Sequence, residues 1–139
     1  MKDLVEVDTI IGMKIIHTSD SICLSQFHYT QMVFNKFRYS DYSFVSTLYD
    51  PSIHLLKNIE KFINQEKYTQ IIGSLIYLSN RIKSDIAYTI SRLSRYTSYP
   101  SIVHWTALER VFQYLKGSID YFLHLVGYPN LLESYSDSN

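Results

Sequence analysis

From residue 68 to residue 116 the apolar side chains recur at helical spacing in three successive runs. This feature constrains the fold more than any other. The first run, residues 68–78, sets Ile71, Ile72, Leu75, Ile76 and Leu78 at that spacing. Ser84-Asp85 is placed to cap a second helix ending near Tyr96, with Ile86, Ile90 and Leu93 inward. Ser98-Tyr99-Pro100-Ser101 breaks the pattern, and Pro100 suits the start of a third helix. That helix carries Trp105, Leu108, Val111, Phe112 and Leu115 as one stripe. Lys116-Gly117 closes it with a cation near the negative end of the dipole and a terminal glycine.

The flanks read differently. Residues 9–16 are apolar and β-branched, and imply a strand. Thr18 to Ser21 forms a turn cluster, and residues 22–25 alternate as a returning strand, so a hairpin is expected. Residues 26–37 change period, with Phe27, Met32, Val33, Phe34 and Phe37 on one helical face. Residues 39–66 lose periodicity and read as a long connection, of a kind expected to cross between subdomains. Residues 121–126 read as a strand, 127–130 as a turn and 131–135 as a second strand. The expected fold is therefore α+β: an N-terminal β-hairpin and helix, a central three-helix region and a C-terminal strand pair.

With 139 residues, 46% of them apolar, the chain can bury a core and does not have the composition of a disordered protein. Thirteen basic side chains balance thirteen acidic ones, so any nucleic-acid contact must come from a local patch. Cys23 is the single cysteine, which excludes an intramolecular disulfide framework. The first residues lack the apolar run of a secretory leader, and no stretch reaches the roughly 18 apolar residues of a membrane span. Those features imply a cytoplasmic or nuclear chain without a membrane partner.

Few residues carry recognisable chemistry. His17, His28, His54, His104 and His124 are scattered, and none stands in a zinc-helix pattern. The four glycines form no phosphate-cradling loop. Asp85 reads as a helix cap before it reads as a catalyst. One feature survives: Arg81, Lys83, Arg92, Arg95, Arg110 and Lys116, interleaved with Tyr77, Tyr88, Tyr96 and Tyr114. Such a set can contact a nucleic-acid backbone, with Arg110 and Lys116 the first choices as phosphate contacts. From spacing alone, solvated helix faces explain it more simply.

The strings themselves say more. Tyr68-Thr69-Gln70-Ile71-Ile72-Gly73-Ser74-Leu75-Ile76-Tyr77-Leu78, Asp85-Ile86-Ala87-Tyr88, Leu93-Ser94-Arg95, His104-Trp105 and Tyr114-Leu115-Lys116-Gly117 follow in order. Before them come Met1-Lys2-Asp3-Leu4, Ile11-Gly12-Met13-Lys14-Ile15, Leu24-Ser25-Gln26 and Asp50-Pro51-Ser52. The ordered set resembles the segment of copia-type retrotransposon polyproteins that joins reverse transcriptase to ribonuclease H. The resemblance implies that residues 1–38 end the polymerase palm and begin its thumb. Residues 39–66 would connect, residues 67–117 would be thumb or connection helices, and residues 118–139 would open an incomplete ribonuclease H sheet. It also implies that Asp137, in Tyr135-Ser136-Asp137-Ser138, is the first carboxylate of a two-Mg²⁺ site whose other ligands are missing, since one carboxylate cannot clamp two ions. The paired polymerase aspartates would lie before Met1. The expectation is a non-catalytic fragment without a cofactor of its own. Its implied partners are an RNA–DNA hybrid or single-stranded nucleic acid and the rest of the polyprotein.

The sequence departs from the family pattern at Val5, Leu48, Lys83-Ser84 and Asn139, where the family has glycine, proline, Arg-Pro and aspartate. Lost glycine and prolines remove turn constraints and point to a degenerate copy. An alternative of another class is a stand-alone interaction protein, such as a secreted RxLR-type pathogen effector acting on a host protein. Arg92-Leu93-Ser94-Arg95 is not that pattern.

Overall fold

The computed structural model describes residues 7–39, 41–59 and 63–127. The expected strand over residues 9–16 is two strands, β1 (Val7–Ile10) and β2 (Met13–His17), paired antiparallel with Ile10 opposite Met13. Ile11 and Gly12 make the turn at φ 53° and 72°. Positive φ at both central residues gives a tight hairpin a twist that matches its strands. A β-branched residue pays for that conformation, and here Tyr77 donates its hydroxyl hydrogen to the Ile11 carbonyl. The lone glycine in an apolar run was the mark of this break.

β3 (Ser21–Ser25) returns along β2, its turn closed by the Thr18 N–H donating to the Ser21 carbonyl at 2.9 Å. β4 (Leu123–Val126) then pairs antiparallel with β3, Leu24 opposite Leu123 and Ser21 opposite Val126. The described sheet is therefore one four-stranded antiparallel sheet in the order β1-β2-β3-β4. Residues 121–126 were expected to pair with residues 131–135. Their described partner is β3, and 131–135 lie outside the described residues.

α1 (Phe27–Phe37) buries Thr30, Val33, Phe34 and Phe37. Met32, expected on that face, is 55% exposed. Gln26 precedes the helix without capping it. Its buried side chain instead accepts from the Ile82 N–H at 3.2 Å and ties α1 to the end of the next helix. Arg38 ends α1 in the left-handed region at φ 61°, and the Tyr39 N–H closes the turn on the Phe34 carbonyl at 3.0 Å.

α2 (Gln65–Ser79) starts on Asn64, whose side chain accepts from the Lys67 N–H at 3.0 Å. Its buried face carries Tyr68, Ile71, Ile72, Leu75 and Leu78, whereas Ile76, expected inward, is exposed. Ser84 and Asp85 do not cap a helix. They form a 3₁₀ turn, Ser84–Ile86, which has no side-chain cap and runs into α3 (Ala87–Ser94). Asp85 accepts from the Tyr114 hydroxyl at 2.5 Å instead, and that bond pushes the Tyr114 pKa up to about 12.

α4 (Ile102–Gly117) is capped by Ser101, with Pro100 just before the cap rather than inside the helix. His104 takes the place usually held by glutamate in a capping box, its Nδ1 accepting from the Ser101 N–H at 3.0 Å. The ring is fully buried and stacked on Tyr96, centroids 3.9 Å apart. Burial pushes the imidazole below its usual range, against the opposing pull of the Leu56 backbone. The unfolded chain then takes up a proton first, near pH 6.5. His104 therefore stabilises the fold fully above that pH, and the contribution falls as the pH drops below it. The urea midpoint is expected to decline between about pH 7 and 5, and His104→Gln, which keeps an acceptor at the same position, should flatten the decline. An identical slope in wild type and variant would refute this.

The core lies among α2, α3 and α4, where Ile71, Leu75, Leu78, Leu93, Leu108, Val111, Phe112 and Leu115 are fully buried. Residues 41–59 contain no helix or strand and lie against this core. The Val45 N–H donates to the Gln113 carbonyl at 3.3 Å, and the Tyr96 hydroxyl to the Leu55 carbonyl at 2.9 Å. The Asn58 side-chain amide donates to the Pro100 carbonyl at 3.3 Å. This segment, expected to cross between subdomains, is a strap over α3 and α4.

Candidate functional site

α3 places Tyr88 and Arg92 one turn apart on one helical face. The strap passes beside them, and α4 supplies Ala107 and Arg110 from the other side. Together they line a cleft with an apolar floor of Leu48, Ile53, Leu55, Leu93 and Ala107, and a rim that includes Tyr49, Tyr88, Arg92 and Arg110. The strap builds its part through the Asp50-Pro51-Ser52 turn, where Asp50 accepts from the Ser52 N–H at 2.9 Å and hydroxyl at 2.7 Å. Those bonds hold the half-buried Asp50 carboxyl below its usual pKa.

Arg110 is committed inside the fold. Its Nε donates to the Thr47 carbonyl at 3.1 Å and its Nη2 to the Thr47 hydroxyl at 2.7 Å, with Asp50 3.7 Å from Nη1. Arg92 is half-buried and makes no side-chain hydrogen bond or ion pair among the described residues. Tyr88 is 72% exposed and Tyr49 is 47% exposed.

The other sequence-chosen cations are dispersed. Arg81 is exposed over the Tyr77 ring, 5.4 Å from its centroid. Arg95 is exposed at the end of α3. Lys116 lines a separate groove with Gln31, Phe34, Asn35 and Ile119. Lys83 is buried, its Nζ donating to the Ser118 carbonyl and lying 5.7 Å from the Tyr121 centroid. Burial lowers the Lys83 pKa, with Asp85 and Asp120 opposing. Thus only Arg92 and Arg110 of the six share the cleft. Of the four tyrosines chosen with them, Tyr77, Tyr96 and Tyr114 donate their hydroxyls within the fold, and Tyr88 does not. Sequence reasoning missed Tyr49 and Asp50, because the strap has no periodicity to show which core face it covers.

Asp137 lies outside the described residues. Among the described residues no group of three or more His, Cys, Asp or Glu could hold a metal ion. The described residues therefore do not supply a ligand set for the Mg²⁺ pair of the intact family.

Comparison with known proteins gives the class first. Over its whole length the chain is similar to a segment of copia-type retrotransposon Pol polyproteins, as its ordered strings imply. In particular, it is 31% identical over 148 residues to the retrovirus-related Pol polyprotein from transposon TNT 1-94 of Nicotiana tabacum, covering 100% of this chain and 11% of the relative. It is 30% identical over 141 residues to the Pol polyprotein from transposon RE1 of Arabidopsis thaliana, covering 100% of this chain and 10% of the relative. A further relative is the secreted RxLR effector protein 161 of Plasmopara viticola, 35% identical over 71 residues, which are 45% of this chain and 50% of that one. The chain thus spans about a tenth of the Pol polyproteins it matches. No family model and no solved structure matches it.

Proposed function

We propose that the chain is the scaffold between the reverse transcriptase and ribonuclease H parts of a copia-type polyprotein, without catalysis of its own. The observation that carries this reading is the similarity to Pol polyproteins over the whole chain. Its residual activity is weak contact with nucleic-acid backbones, through Arg81, Arg92 and Arg95 as phosphate contacts. Two of these are exposed, and the third is half-buried at the cleft. Lys83 and Arg110 serve the fold.

Binding of a labelled RNA–DNA hybrid and of a single strand, measured by anisotropy across salt concentrations, tests the proposal. Three phosphate contacts predict a log–log salt slope of about −2 on a single strand. No binding at low salt would remove the nucleic-acid part. Mg²⁺-dependent nuclease activity abolished by Asp137→Ala would remove the non-catalytic part.

The partial similarity to a secreted effector supports a second reading, a stand-alone protein acting on host cells. Leu93, within Arg92-Leu93-Ser94-Arg95, is fully buried and belongs to the core. That string is therefore not a free recognition segment. Detection of the chain in culture filtrate or host tissue would favour this reading.

A further inference from the structure

Two unspent groups stand side by side at the cleft. Arg92 is partly withdrawn from water, yet its guanidinium makes no hydrogen bond or ion pair among the described residues. Its planar fork of donors suits a phosphate. The carboxylate across the rim, Asp50, is already shared between Ser52 and Arg110. One turn earlier, Tyr88 holds its ring in solvent, 72% exposed, with no hydrogen bond from its hydroxyl among the described residues. Tyr68, Tyr77, Tyr96 and Tyr114 all spend theirs inside the fold. Tyr49, also exposed, faces the same cleft from the strap.

We propose that the rim of this cleft, whose interior of about 20 Å³ is too small for a base, holds one unpaired nucleotide of a single strand, its base against the exposed Tyr88 ring and its phosphate on Arg92. This rests on the nucleic-acid reading above and names the form of nucleic acid recognised. Residues four apart on a helix lie about 6 Å from each other at Cβ, which suits a ligand that joins a flat ring to an anion. Every base has a face to offer, so such stacking is tolerant of sequence. A duplex keeps its base faces covered by neighbouring pairs and can use only Arg92. An acidic peptide could satisfy Arg92 but has no need of the exposed ring.

The test is anisotropy on the full chain at low salt, with a short oligothymidylate and with a duplex of matched length. The single strand binds more tightly than the duplex. Tyr88→Ala weakens single-strand binding roughly tenfold, while duplex binding stays unchanged. Tyr88→Phe, which keeps the ring, restores the affinity. Arg92→Gln reduces the single-strand salt slope by about 0.7, one phosphate contact. Thermal melting confirms that each variant is folded, as expected for exposed or half-buried positions. Equal affinity for strand and duplex, or a neutral Tyr88→Ala, overturns this inference and leaves general backbone binding standing. No binding to either probe overturns both. An acidic peptide that binds through Arg92 while the oligonucleotide is indifferent to that residue also overturns it.

Discussion

Phe112→Ala is expected to destabilise the chain by about 3–5 kcal/mol. Phe112 is fully buried on α4 and holds α1 and its C-terminal turn through its ring. Tyr39, just past α1, stacks on it with centroids 4.2 Å apart and planes 14° apart. Phe34 of α1 meets it edge-on at 5.6 Å. Truncation removes the buried area and both aromatic contacts, each worth about 0.5–1.5 kcal/mol beyond area. Both neighbours are themselves buried and held at the end of α1, so they cannot easily collapse into the void. A domain of this kind has roughly 5–15 kcal/mol in total, so the melting temperature should fall by on the order of 10 °C. Phe112→Leu, which fills part of the space, should lose less. Urea and thermal unfolding of both variants measure the effect, and a loss below about 1 kcal/mol for the alanine variant would mean that α1 is not anchored through this ring.

The second large effect is expected at Lys83. Lys83→Met keeps most of the stem but cannot donate to the Ser118 carbonyl, which is left without its charged partner. The carbonyl still accepts from the Tyr121 N–H at 3.1 Å, so the change removes one charge-assisted bond rather than orphaning the acceptor, at about 1.5–3 kcal/mol. Lys83→Ala should cost more, because it also removes the packed stem under Tyr121. Neither change should alter the salt slope of nucleic-acid binding. The opposite pattern, unchanged stability with a shallower slope, would return Lys83 to the binding surface.

These residues also show what the sequence could reveal. α1, α2 and α4 were legible because each repeats apolar residues at one period over three turns or more. Pro100 marked the start of α4 to within two residues. Ile11-Gly12 was misread because a single glycine in a β-branched run is consistent with a bulge, a bend or a turn. The pairing of β4 with β3 was invisible, because strand partners remote in sequence leave no local signature. Lys83 looked like a free cation for a related reason. Its acceptor, Ser118, lies 35 residues away. Asp85 looked like a cap because its partner, Tyr114, sits on another helix. At the cleft, Arg92 and Tyr88 could be chosen from their spacing on α3. That Arg110 would be spent on the strap could not.

The order of the sheet carries a consequence for synthesis. β3 is complete by Ser25, but the strand that covers its free edge begins at Leu123, roughly a hundred residues later. During translation the ribosome must therefore make every described helix while one edge of β3 waits with unpaired backbone groups. An uncovered edge is a template for pairing with another chain, and late, distant pairing is slow. A nascent chain stalled before Leu123 has its helices but an open sheet. It should recruit holdase chaperones more strongly than one released after Gly127.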